Sequence, residues 1–143
     1  MGLFGPPKEF RERTFTMPCS QAEAISVLRQ IVIHDGSRPF GKPLDAYYAD
    51  VEAGSPDAGK PRLVESIYVE RLDSQGFVIA AGNRTATYWK VQLQLTGDNP
   101  VQGTFGAIEA NDTFHWGLNV LGMVHALSTA VSKVGGSLGK WPR

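Results

Sequence analysis

The sequence contains a single cysteine, Cys19, among its 143 residues. One cysteine cannot form a disulfide within the chain, and it leaves too few thiolates for a cysteine-based zinc site. A chain without disulfides is typical of a reducing compartment, and we therefore expect a cytoplasmic protein.

The sequence has no surplus of either charge, because 14 basic residues balance 14 acidic ones. A protein that binds nucleic acid generally uses a basic surplus to replace the counterions of the phosphates. Residues 113–132 carry no charge, but about half of them are small or polar and the usual aromatic and basic flanks are missing. We therefore expect neither a nucleic-acid partner nor a membrane span.

The first residues lack the basic start and apolar run of a signal peptide. We interpret residues 1–9 as a flexible N-terminal leader and residues 10–143 as a single α+β domain. Hydrophobic residues make up 42% of the chain and charged residues 20%, which is the balance of an ordinary globular domain.

No catalytic or metal-binding motif is present, and we expect no cofactor and assign no catalytic residue. His115 and His125 are ten residues apart, which is not the spacing that places two imidazoles on one metal ion. His34 lies at the C-terminal end of the first predicted helix, where its charge suits the helix dipole. Cys19 precedes that helix, where a thiol pKa can fall, but no partner base is evident and we interpret Cys19 as structural. Whether the chain is an enzyme stays open.

The first helix is indicated by Ser20 and Glu23, which form the pattern of a capping box. Apolar residues follow at helical spacing, and the helix is predicted to continue to Gly36, which suits a left-handed C-terminal position. The predicted apolar stripe consists of Ala24, Ile25, Leu28, Ile31 and Val32.

Alternating residues predict strands at 10–16, 63–72, 77–81, 87–96 and 101–109, with a further short strand near 45–51. The strand at 87–96 has the clearest pattern, with one apolar and one polar face. Gly103 and Gly106 suggest a bend or bulge in the strand that follows. Short connections imply an antiparallel meander, because parallel strands need long crossovers.

A long C-terminal helix is predicted from Phe114 to Val134, with one apolar stripe: Val120, Val124, Leu127, Val131 and Val134. The uncharged back of this helix has two interpretations. It is either a solvent-facing surface of small polar residues, or a contact in a homo-oligomer that involves Leu118 and Leu121. In the second case Gly122, Ala126 and Ala130 would allow the backbones to approach closely.

The order of these elements resembles that of the helix-grip proteins: a strand, a helix, a meander and a long last helix. The strand that runs into Thr16-Met17-Pro18 and the polar-backed strand of Trp89 are also similar to those proteins. We therefore suspect the START-like superfamily, which includes polyketide-cyclase-like and birch-allergen-like proteins. The resemblance implies a curved antiparallel sheet with the C-terminal helix packed on it.

The resemblance further implies a hydrophobic ligand between the sheet and the last helix. The implied ligand-binding residues are Tyr68, Trp89, Val91, Leu93, Phe105, Val120, Val124, His125 and Leu127. The same side chains would equally suit a filled core. We therefore hypothesise a non-catalytic domain that binds a small apolar molecule, with two alternatives. One is a self-associating subunit that uses the C-terminal helix, and the other is a cyclase- or hydrolase-like enzyme that uses His125.

Overall fold

In the structure, a computed structural model, residues 12–33, 42–46, 60, 66–111 and 113–139 are described, except for the side chains of residues 42, 66 and 113–121. The strands are β1 (Arg13–Met17), β2 (Val32–Ile33), β3 (Lys42–Pro43), β4 (Ser66–Asp73), β5 (Gly76–Gly82), β6 (Thr87–Thr96), β7 (Val101–Ala110) and β8 (Ser137–Leu138). The helices are α1 (Gln21–Leu28), α2, of which residues 44–46 are described, and α3 (Thr113–Lys133). The predicted leader at residues 1–9 and His34 lie outside the described ranges.

Six strands form one antiparallel sheet in the order β4-β5-β6-β7-β1-β8, and β2 pairs with β3 separately. The meander from β4 to β7 follows the chain, and β1 then pairs with the far side of β7. The predicted α+β class with an antiparallel sheet is confirmed. The strand β8, which pairs with β1 after α3, was not predicted from the sequence.

The strand β6 separates its two kinds of residue cleanly between the two faces of the sheet. Its buried residues are Trp89, Val91, Leu93 and Leu95, and the residues between them are partly or fully exposed. Successive side chains of a strand point to opposite faces, so the pattern of the sequence becomes one core face and one polar face.

Gly103 allows close packing between β7 and β1. The bulge of β7 is not at this glycine but nearer the end of the strand. A Cβ atom at Gly103 would collide with the ring of Phe15, which crosses it from β1. The change of register in β7 occurs between Ala107 and Glu109, opposite Lys90 and Val91. A bulge of this kind leaves one extra residue outside the pairing, here Ile108, and Ile108 is 53% exposed.

The first helix begins as predicted but is shorter. The Ser20 Oγ atom accepts a hydrogen bond from the Glu23 backbone N–H at 3.1 Å, which satisfies one of the free amides of the first turn. The helix ends at Leu28. Ile31 and Val32, predicted as helical, leave the helix because the backbone of Ile31 accepts a hydrogen bond from Leu44 and Val32 pairs with β3. Their β-branched side chains also favour an extended chain.

One hydrophobic core joins the apolar face of the sheet to α1 and α3. From α3 it receives the buried residues Met123, Val124, Leu127, Ala130 and Val131. Residues 44–46, where a strand was predicted to begin, are helical instead, and Leu44 is fully buried in the same core. Among the helices described, none combines the length and the hydropathy needed to cross a bilayer.

Candidate functional site

The apolar face of the sheet and the inner face of α3 bring together six of the nine predicted ligand-binding residues. They are Trp89, Val91, Leu93, Phe105, Val124 and Leu127, all of them buried in the same hydrophobic cluster. Trp89, Val91, Leu93 and Leu127 have no exposed surface at all. The side chain of Val120 lies outside the described residues. These six residues therefore fill the described interior between the sheet and α3.

Tyr68 is buried on the opposite face of the sheet, which differs from its predicted place beside Trp89. Tyr68 pairs with Ala80, and Ala80 pairs with Lys90 on the next strand. Trp89 lies one position before Lys90 in β6, and successive side chains of a strand point to opposite faces. Tyr68, which shares the face of Lys90, therefore lies on the other side of the sheet from Trp89. A register shift in β4 between Val69 and Arg71 explains why simple alternation could not assign the face of this strand correctly.

Around Tyr68 the polar face of the sheet carries a small group of ionisable side chains. The Lys90 Nζ atom lies 2.8 Å from the Glu70 Oε1 atom, and this hydrogen bond raises the pKa of Lys90. Burial raises the pKa of Tyr68, and the neighbouring Glu70 carboxylate raises it further. At neutral pH the raised pKa keeps the Tyr68 phenol protonated beside the ion pair of Lys90 and Glu70.

His125 is exposed, so it does not lie in the interior between α3 and the sheet. Residues Met123, Val124 and Leu127 occupy the inner face of this part of α3, and residue 125 points away from them. The backbone carbonyl of His125 accepts a hydrogen bond from the Thr129 hydroxyl at 3.1 Å. No described acidic side chain orients the imidazole, so the observed geometry does not provide the arrangement of a general base.

Cys19 is buried and faces conditions that keep its thiol protonated. Burial raises the pKa of Cys19, and the negative charges of Glu23 and Asp98 raise it further. The thiolate is the reactive form of cysteine, so a raised pKa opposes nucleophilic chemistry. This environment agrees with the structural role predicted for Cys19.

A concave site lies on the helical side of the molecule, between the C-terminal end of α1 and the middle and end of α3. We call it the interhelical groove, and it has a volume of about 210 Å³. Its lining consists of Val27, Gln30, Ile31, Val32, Ala126, Thr129, Ala130 and Lys133. Five of these residues are apolar, and Val32 remains 45% exposed within it.

The local sequence explains why the groove is open. Because α1 ends at Leu28, the extended strand β2, and not a further helical turn, lies against this part of α3. On α3 the facing positions are Ala126 and Ala130, whose methyl groups fill little space. A hydrogen-bonded ion pair at 2.6 Å between Arg29 Nε and Asp45 Oδ1 fixes the turn beside the groove. The groove is therefore built from a shortened helix and two small residues.

The alanines of the predicted small-residue stripe belong to this groove. Ala126 and Ala130 line it, whereas a Cβ atom at Gly122 would meet nothing within 4 Å. The side chains of Leu118 and Leu121 lie outside the described residues. Self-association through α3 therefore stays a prediction. The sequence had singled out Ala126 and Ala130, but nothing in it pointed to Gln30, Val32 or Lys133 as their neighbours.

No metal site assembles in the described part of the chain, since no three histidine, cysteine, aspartate or glutamate side chains lie close enough together to hold an ion. No protein-family model, curated protein or solved structure matches the chain. The interhelical groove is therefore the candidate site, on the strength of its own geometry.

Proposed function

We propose that the domain binds a small apolar molecule in the interhelical groove. The observation that carries this proposal is a concave, mostly apolar site of about 210 Å³ that leaves Val32 partly exposed. Small-molecule sites are typically concave and apolar with a few polar groups at fixed positions. Gln30, Thr129 and Lys133 are the polar lining residues here. The proposal keeps the predicted ligand-binding role but moves the ligand away from the interior next to the sheet.

The volume of the groove limits the size of the ligand. A water molecule occupies about 30 Å³ of the liquid, so the groove has the room of roughly seven waters. Drug-sized ligands generally occupy pockets of about 300–1,000 Å³. We therefore propose a small organic molecule or a short acyl chain, rather than a sterol or a long-chain lipid.

The helix-grip arrangement is also part of the proposal. It is supported by the inner face of α3, whose Met123 and Leu127 share one core with Trp89 and Phe105 of the sheet. In this arrangement the sheet and α3 form a solid support, and the ligand binds on the side of α3 that faces α1. A cytoplasmic location is proposed as well, on the basis of the single cysteine.

The first test uses 1-hexanol, a neutral apolar probe that carries no charge of its own. Each buried methylene contributes about 0.8 kcal/mol, so five of them give at most about 4 kcal/mol, which means a dissociation constant no tighter than about 1 mM. We expect saturable shifts of the amide resonances of residues 27–33 and 126–133 when the probe is titrated into the labelled protein by NMR.

Two variants of α3 make this test specific to the groove. Thr129→Phe adds a ring at a lining position, and we expect it to abolish the saturable shifts by filling the groove. Ser132→Phe adds the same ring at an exposed position outside the lining, and it should leave binding unchanged. Shifts that rise linearly over the whole surface, or that survive in Thr129→Phe, would show that the groove is not the binding site.

A further inference from the structure

We propose that the ligand of the interhelical groove is a monoanionic amphiphile, a free medium-chain carboxylate, whose head group binds Lys133. This inference rests on the proposed function, and it adds the chemical class of the ligand. It depends on three features of the lining: the direction of the groove, the sign of its charge and the absence of a competing partner for Lys133.

The direction of the groove follows from the positions that α3 contributes. Ala126, Thr129, Ala130 and Lys133 are spaced by three and four residues, so they lie along one face of the helix. At a rise of 1.5 Å per residue, the seven-residue interval from Ala126 to Lys133 covers roughly 10 Å. An extended alkyl chain laid along this face has its apolar end near Ala126 and its head near Lys133.

The charge of the lining has one sign. Lys133 is the only ionisable residue among the eight that line the groove. Asp45, an acidic residue beside the groove, is paired with Arg29 at 2.6 Å and also accepts a hydrogen bond from Gln30 at 3.3 Å. An anionic head group therefore meets the full positive charge of Lys133, which exceeds the partial negative charge at the C-terminal end of α3, whereas a cationic head group would be repelled.

The ammonium group of Lys133 is available for a ligand. Within the described part of the chain no carboxylate forms an ion pair with it. The carbonyls at the end of α3 do not depend on it either, since those of Val131 and Ser132 accept hydrogen bonds from Gly136 and Gly135. An ammonium group offers three donors to one carboxylate but only a single charge. A phosphate monoester carries about −1.5 to −2 charges at neutral pH, which one lysine cannot balance, so a single lysine matches a monoanion better.

The test compares three ligands that share the same alkyl chain and differ in their head group: octanoate, 1-octanol and octylammonium. Each is titrated into the labelled protein by NMR at neutral pH. Since an exposed ion pair contributes little, we expect octanoate to bind about 1.5- to fivefold more tightly than 1-octanol. Octylammonium should bind more weakly than either. The advantage of octanoate should shrink as salt is added, because salt screens exposed charges.

Variants of two lysines assign the preference to one residue. Lys133→Gln should bring the ratio of the octanoate affinity to the 1-octanol affinity down to about one, while Lys133→Arg should preserve that ratio. Lys60→Gln removes an exposed lysine that does not line the groove, and it should change neither affinity. Circular dichroism of each variant establishes that the fold is retained.

The outcomes separate the ligand class from the existence of the site. If 1-octanol saturates the groove and octanoate binds no more tightly, the carboxylate proposal is wrong and the apolar-ligand function stands. The same holds if Lys133→Gln keeps the preference for octanoate. If none of the three ligands produces saturable shifts at the groove, the proposed function fails together with this inference.

Discussion

Cys19 lies one residue before the N-cap of α1, where a helix dipole would ordinarily help a thiol to ionise. Its burial has the opposite effect and raises the pKa, together with the charges of Glu23 and Asp98. The position of Cys19 in the sequence indicated only the effect of the helix dipole, which lowers the pKa. The surroundings that raise the pKa instead include Asp98, a residue far away in the chain. A residue's chemistry could therefore be predicted only as far as its neighbours in sequence determine it.

The raised pKa of Cys19 predicts a specific dependence of stability on pH. An unfolded thiol ionises with a pKa of about 8.5, while the folded protein keeps its proton to higher pH. Above that pH the unfolded state loses protons first, so the free energy of unfolding falls as pH rises. Urea unfolding in the presence of a reductant, repeated from about pH 8 to about pH 9.5, measures this slope.

Cys19→Ala removes the titrating group, and we expect a shallower slope over that range, whatever its effect at neutral pH. The raised pKa values of Tyr68 and Lys90 remain in the variant, so both proteins should still lose stability above about pH 10. Identical slopes for the variant and the parent protein between about pH 8 and about pH 9.5 would refute the assignment to Cys19.

At the scale of single elements, the clearest predictions came from patterns that depend on one element alone. The alternation of β6 and the capping serine of α1 were both predicted, because a strand face and a helix N-terminus are local features. The end of α1 was predicted wrongly. Ile31 and Val32 continue the helical spacing of Leu28, but pairing with a distant segment draws them into another structure.

The face of β4 and the interhelical groove could not be predicted for the same reason. A bulge after Val69 interrupts the simple alternation of β4. The groove requires Val32 and Lys133 to be neighbours, and they lie about a hundred residues apart in sequence. Sequence spacing reports which residues share a face, but it does not report which faces meet.

The capping serine of α1 gives the prediction that belongs to this scale. Ser20→Ala leaves the Glu23 amide without its acceptor, and we expect a loss of about 1 kcal/mol in the free energy of unfolding. Ser26 lies exposed within the same helix. Ser26→Ala is the matched control, and it should be neutral or slightly stabilising because alanine favours helices. Equal losses for the two variants in chemical denaturation would contradict the capping role.

At the scale of the whole molecule, β1 lies between β7 and β8 and so joins the meander to the strand that follows α3. The Arg13 guanidinium strengthens this junction by donating two hydrogen bonds to the Gly139 carbonyl, at 3.0 Å from Nε and 2.6 Å from the terminal nitrogen. The backbone N–H of Gly139 in turn donates to Thr14. The short strand β8 is thus fastened to β1 by more than its two paired residues.

Replacing this arginine tests how far the junction supports the fold. Arg13→Met should lower the free energy of unfolding by about 1–2 kcal/mol, since hydrogen bonds from a charged group generally contribute about 1.5–3 kcal/mol and this one is partly exposed. Hydrogen exchange at residues 137–139 should accelerate. Arg84→Met changes an exposed arginine in the loop before β6 and should leave both quantities unchanged. Unaltered exchange in Arg13→Met would mean that β8 is held by other contacts.

The place of β1 in the sheet also determines when the protein can fold as it is made. Phe15 and Met17 find their strand partners only at Gly103 and Val101, and the hydrogen bonds of Arg13 wait for a residue 126 positions later. A ribosome adds about 5–20 residues per second. The first described strand therefore spends roughly 4–20 s without a partner before β7 has been synthesised. During that interval β4, β5 and β6 can pair with one another, but β1 joins the sheet only after β7 has been made, so the finished fold forms late in synthesis.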